Sequence, residues 1–213
     1  MKGLLTKEFY INRQGIGLMY VLLILLFSVM SALLGPQDTQ WFIATYPGIL
    51  VGMLPINLMF VEENEKWEQY APTLPVSRGQ LVSTKYLVVL LISLIYAAAV
   101  ILSQAAAMTI RHSFDGPVLL SFISKAIYTS LIISSISLPP MFALGAAKGR
   151  WIASILGGIS TLVILLPQIF LEGEGGAATA HSIILPGALI AVSLLLFAGS
   201  WLLSIFLYKR RDL

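Results

Sequence analysis

Apolar residues fill six long blocks, at positions 16–34, 41–61, 86–110, 126–144, 152–171 and 183–207, and none of these blocks contains Asp, Glu, Lys, Arg or His. Each is close to the roughly 20 mostly apolar residues that an α-helix needs to cross a bilayer. A membrane β-barrel would show shorter segments alternating in polarity, and no such alternation occurs. The pattern predicts an all-α polytopic membrane protein with six transmembrane helices, forming a single domain over 1–213. Most polar connections are short: 35–40, 111–125 and 172–182 on one side, and a tight turn at 145–151 on the other. The first block could be read as a cleaved leader. Its 19 residues exceed the roughly 7–15 of a leader's apolar core, so it is expected to remain as a membrane anchor.

One polar stretch breaks this pattern. Between Glu62 and Lys85 lie Glu62, Glu63, Glu65, Lys66, Glu68, Arg78 and Lys85, seven of the 23 charged residues of the chain. The run "EENEKWEQYA" favours a short helix, with Glu62 and Lys66 in the favourable i, i+4 order. On it Glu63, Trp67, Tyr70 and Ala71 share a face, while Glu65 and Glu68 point elsewhere. Pro72 and Pro75 then end the helix and stiffen the chain. In "VSRGQL", Ser77 is a good N-cap, Gln80 completes a capping box, and Val76 and Leu81 occupy the positions of a hydrophobic staple. A new helix should start near Arg78. These residues leave three readings open: a solvated loop, a catalytic site, or a docking surface for a partner. Glutamates with no neighbouring histidine make poor metal-site material.

Composition and charge add orientation. Hydrophobic residues make up 58% and charged ones 11%, far from the roughly one-quarter charged of a soluble domain. Lys and Arg collect on the cytoplasmic side of membrane proteins. With both termini inside, Lys2, Lys7, Arg13, Lys66, Arg78, Lys85, Lys148, Arg150, Lys209, Arg210 and Arg211 are cytoplasmic, and Arg111 and Lys125 lie outside. Of the 13 basic residues, that places eleven inside and two outside, and it predicts an N-in, C-in topology. Segment 1–15 reads either as an interfacial helix, with Leu5 and Phe9 on one row and Leu4 and Ile11 on another, or as a basic extension of the first span. Glu8 interrupts its apolar face. The net charge of +3 reflects topology, and no basic patch with interleaved aromatics points to nucleic acid.

Several chemistries find no support. There is no cysteine, hence no disulfide and no thiol catalysis. No phosphate-binding G-x-x-x-x-G-K-[ST] loop occurs. No H-E-x-x-H motif or nucleophile–base pair appears, so the chain is not expected to be an enzyme or to hold a metal or cofactor. No ionisable residue is expected to be buried, which argues against proton coupling. His112 and His181 are expected in outside loops. Asn57, Gln104, Gln168, Ser134, Ser135 and Ser137 are expected to bond between helices. Pro47, Pro55, Pro139 and Pro140 predict kinks or breaks, and breaks keep a sodium-coupled carrier open as an alternative.

The polar stretch resembles the first cytoplasmic loop of ABC transporter type-2 permeases, most closely the six-span group that includes the phenol-soluble-modulin exporter permeases. Glu62, Glu63, Trp67, Tyr70, "TLPVSR" from Thr73 to Arg78, Val82, Lys85 and Tyr86 carry the likeness. "KGLLTKEF" at the start and "PPMFALGAAKGR" after the fourth block are also similar to that group. The resemblance implies a cytoplasmic coupling helix between spans 2 and 3, within 62–85, that inserts into an ATPase subunit. The residues implied in ATPase coupling are Glu62, Glu63, Glu65, Trp67, Glu68, Tyr70 and Arg78, with 145–151 as a minor second contact. It further implies a permease dimer, of identical or different copies, over two ABC ATPase subunits that bind ATP and Mg. The expected activity is ATP-driven export of hydrophobic or amphipathic peptides by alternating access, in a bacterial cytoplasmic (plasma) membrane. The alternatives are an ion-coupled carrier and a non-transporting scaffold or immunity protein.

Overall fold

A computed structural model describes residues 2–15, 22, 26, 36–64, 76–110, 112, 114–172 and 184–210. Among these, six long helices follow in order: α1 (Lys2–Gly15), α2 (Pro36–Asn64), α3 (Arg78–Ile110), α4 (Gly116–Leu144), α5 (Ala146–Glu172) and α6 (Ile184–Arg210). Five of them, α2 to α6, are long and apolar enough to cross a membrane. The predicted first span, 16–34, lies outside the described residues apart from helical Leu22 and Leu26. His181 lies outside them as well.

The helices outrun the apolar blocks that predicted them. α3 has 33 residues, about 50 Å at 1.5 Å per residue, against a hydrocarbon core of about 30 Å. The predicted connection 111–125 is mostly helix, because α4 starts at Gly116 with Pro117 in its first turn, where the missing proline N–H costs nothing. The predicted turn 145–151 is likewise almost all helix. The reversal is confined to Gly145, whose φ of 84° suits a residue without Cβ. Its N–H donates to Met141 O at 3.0 Å, and Gly149 N–H donates to Gly145 O at 2.8 Å.

α4 is the central helix and packs against α2, α3, α5 and α6. Small residues let it do so. A Cβ on Gly52 of α2 would stand 2.8 Å from Ile133 Cβ and 3.0 Å from Ser130 O of α4, and one on Gly48 would stand 3.2 Å from Thr129 Cβ. Gly48 and Gly52 thus form a G-x-x-x-G contact, the usual device for close helix approach in lipid. Ser134 Oγ crosses this contact to donate to Gly52 O at 3.0 Å. Ser135 and Ser137 instead bond within α4, to Leu131 O and Ile133 O.

The internal prolines do not break their helices: α2 runs through Pro47 and Pro55, and α4 through Pro139 and Pro140. In α4 the reason is visible. Pro139 cannot donate to Ser135 O, and Ser200 Oγ of α6 donates to that carbonyl at 2.6 Å instead. A neighbouring helix has replaced the lost bond.

The outward faces of α3, α5 and α6 stay apolar, with Leu102, Trp151, Val163, Leu195 and Leu202 exposed. In water such a surface would aggregate; in lipid it needs no partner.

Candidate functional site: an ionic ring where α1 crosses α2 and α3

α1 packs against α2 and α3. Leu4 and Glu8, one turn apart on α1, are buried, the two buried residues among those of α1 whose side chains are described. Glu8 therefore does not interrupt an apolar face; it belongs to the inward face, because α3 presents a cation to it. Lys85 Nζ lies 2.7 Å from Glu8 Oε1 and 2.7 Å from Glu62 Oε2. Lys7 Nζ donates to Glu62 Oε1 and stands 3.6 Å from Glu8 Oε1. The four charges alternate in sign around a closed ring: Lys7, Glu62, Lys85, Glu8. Side-chain exposure is 22% for Lys7, 4% for Glu8, 7% for Glu62 and 9% for Lys85.

Local sequence explains each position. Glu62 follows the apolar block of α2 and stands two residues before that helix ends. Lys85 precedes the apolar block of the next span, but α3 begins at Arg78, so Lys85 stands two turns inside a helix. The expectation that no ionisable residue is buried is therefore corrected: Glu8, Glu62 and Lys85 are all buried. Opposite charges flanking two neighbouring apolar blocks are the signal that could have found the pair. Nothing in the α1 sequence alone announced that Glu8 would join them.

The ring is incompletely satisfied. Among the described residues Glu8 Oε2 is buried without a hydrogen-bond partner, while Lys85 Nζ stands 2.7 Å from both carboxylates. Its contacts are short ion pairs. Burial drives both α1 side chains toward their neutral forms. It pushes the Glu8 carboxyl above its ordinary range, with Glu62 adding to the rise and Lys85 opposing it. Burial likewise holds the Lys7 ammonium below its ordinary range, against the pull of Glu62. A cavity of about 40 Å³ adjoins the ring, bounded on its apolar side by Leu4, Met59, Leu81, Met141, Phe142 and Tyr208. That is room for a water molecule.

The capping box is present at the start of α3. Gln80 N–H donates to Ser77 Oγ at 3.2 Å, and Ser77 N–H donates to Gln80 Oε1 at 3.0 Å, so α3 starts at Arg78. Arg78 itself reaches across to the end of α6, donating to Tyr208 O at 3.5 Å and Lys209 O at 3.3 Å. It satisfies carbonyls that a helix end leaves open. Below the ring Tyr86 joins α3 to α6, with its hydroxyl 2.7 Å from both Ser200 Oγ and Ser204 Oγ. Its ring stacks near Phe142, with centroids 6.4 Å apart, and meets Phe197 at a tilt, 5.0 Å away.

The sequence-predicted coupling residues thus separate. Glu62 points into the ring and Arg78 onto α6. Glu63 lies in the last turn of α2, its side chain outside the described residues. Glu65, Trp67, Glu68 and Tyr70, and with them the expected coupling helix, lie outside the described residues.

The sequence profile of a family described as ABC-2 family transporter protein matches residues 3–209, which takes in all six described helices and the ring. The chain belongs to this ABC-2 transporter family. It is a multi-pass membrane protein and a permease subunit of an ABC transporter. No characterised protein and no solved structure matches the chain. Seen as a permease, the ring stands at a meaningful place: it ties together the two helices from which the 65–75 connection springs.

Proposed function

We propose that this permease is the transmembrane subunit of an ATP-driven exporter, and that the 62–85 stretch receives the motion of separate ATPase subunits. The supporting observation is how firmly the two roots of that stretch are built. α2 ends at Asn64, a reciprocal capping box sets the start of α3, and Glu62 and Lys85 join the two helices at 2.7 Å. Force applied to 65–75 reaches α2 and α3 as one unit, and α2 passes it to α4 through the Gly48–Gly52 contact. In this reading both termini are cytoplasmic, and two permease copies, identical or different, sit over two ATPases that bind ATP and Mg. The bundle alternates its exposure to export hydrophobic or amphipathic peptides from a bacterial cytoplasmic membrane. Trp67, Glu65, Glu68, Glu63 and Tyr70 supply the ATPase contact, while Glu62 and Arg78 position its roots.

The test is to replace Trp67, the best anchor of the stretch. Truncating a buried interface aromatic typically costs about 2 kcal/mol or more. Trp67→Ala should leave the permease inserted but lower ATPase retention and efflux together, and Glu68→Lys should do so more mildly and in a salt-sensitive way. Normal retention and efflux in Trp67→Ala would sink the coupling role of this stretch. Efflux driven by an ion gradient without any ATPase would restore the carrier alternative.

A further inference from the structure

We propose that α1 is a releasable strap over the roots of the α2–α3 connection, and that the ionic ring makes it releasable instead of bolting it down. The partition of charge carries this. To the ring α1 brings one cation and one anion, Lys7 and Glu8. α2 and α3 bring one anion and one cation, Glu62 and Lys85, already 2.7 Å apart. Each side's contribution to the ring is electrically balanced before they meet. If α1 supplied only a counter-charge to a lone buried ion, its departure would strand that ion, which is strongly destabilising. Here departure leaves the Glu62–Lys85 pair intact, and Lys7 and Glu8 return to water together.

Docking in turn gains little from the charges. Removing ions from water is offset only where geometry is excellent and the remaining polar valences are filled. In this ring Lys7 donates to Glu62 and Lys85 stands 2.7 Å from Glu8, but among the described residues Glu8 Oε2 has no hydrogen-bond partner, and the Lys7–Glu8 contact is long at 3.6 Å. The displaced pKa values of Lys7 and Glu8 say the same: burial, the larger influence on each, disfavours their charged forms. What holds α1 down is apolar contact, with Leu5 packed against Leu54, Leu58 and Val88; what keeps it from settling permanently is the pair of charges beside it. A strap of this kind permits the α2–α3 roots to move when released and holds them when docked.

The proposal depends on the coupling reading only for its consequence. Its test reads release of α1 without any ATPase, so the failure of one leaves the other standing. The chain has no cysteine, so single-cysteine variants need no background changes. Leu4 is 9% exposed on α1 and Val82 is 0% exposed on α3. In purified full-length permease, Leu4→Cys should react with a bulky maleimide at least tenfold faster than Val82→Cys. Adding Lys7→Met together with Glu8→Leu should slow labelling at position 4 at least threefold, because the strap then docks without burying charge. Hydrogen exchange on the unaltered chain gives a second reading: amides of α1 should exchange as a block, ahead of those of 82–89. Labelling of Leu4→Cys as slow as that of Val82→Cys, or α1 amides as protected as those of α3, would show that α1 does not release. Faster labelling on removing the charge pair would show that the ring is the fastener. Either result overturns the proposal.

Discussion

Replacing Gly52 by alanine tests the close approach of α2 to α4. In an exposed helix this change stabilises by about 1 kcal/mol, since alanine is the better helix former. At Gly52 the new methyl would stand 2.8 Å from Ile133 Cβ and 3.0 Å from Ser130 O. Neither atom is the free end of a flexible side chain, so one helix has to move. Overpacking of this kind costs about 1–3 kcal/mol. Displacing α2 also stretches the 3.0 Å bond from Ser134 Oγ to Gly52 O, a further loss of about 1 kcal/mol. After subtracting the propensity gain, Gly52→Ala should destabilise the permease by about 1–3 kcal/mol. The internal control is Gly158→Ala on α5, where a Cβ would meet no atom of the described residues within 4 Å and only the gain of up to about 1 kcal/mol should remain. Unfolding in mixed micelles, followed by circular dichroism, measures both. If Gly52→Ala is as stable as the wild type while Gly158→Ala gains, α2 and α4 do not pack through this glycine, and the route from 62–85 into the bundle is lost.

Ser77→Ala removes the hydroxyl that accepts from Gln80 N–H at 3.2 Å; N-cap loss costs about 0.5–2 kcal/mol, and Gln80→Ala should add little to it, whereas fully additive losses in unfolding experiments would deny a shared box. For the proposed topology, a cysteine replacing Ala178 should react with an impermeant thiol reagent in intact cells and one replacing Gly79 should not, and reversed labelling would invert the molecule. For pH dependence, the raised Glu8 carboxyl means that the folded chain keeps a proton the unfolded chain has released. Stability linked to Glu8 is present below the ordinary carboxylate range, about pH 4, and falls as pH rises through the raised value. Glu8→Gln should flatten that part of the thermal-stability profile, and identical slopes in both proteins would show that Glu8 does not titrate in this way.

Much of the fold was legible in the chain. Lipid forces helices to satisfy their own backbone bonds, so uninterrupted apolar blocks were sufficient to place α2 to α6 and to identify the class. The Ser77–Gln80 box was equally legible, because a cap is made by residues three apart and needs no tertiary partner. Helix ends were less so: α3 and α4 extend into polar sequence, where apolar content carries no signal but backbone bonding continues. Gly52 was unremarkable until α4 arrived against it, and the prolines of α4 looked like breaks until Ser200 from α6 covered the freed carbonyl. Glu8 was read as a flaw in an amphipathic helix and Glu62 as a docking charge. Only packing decided that both point inward to Lys85, since three helices that are distant in sequence converge there. Periodicity records which face of a helix is apolar; it does not record which buried charge another helix will meet.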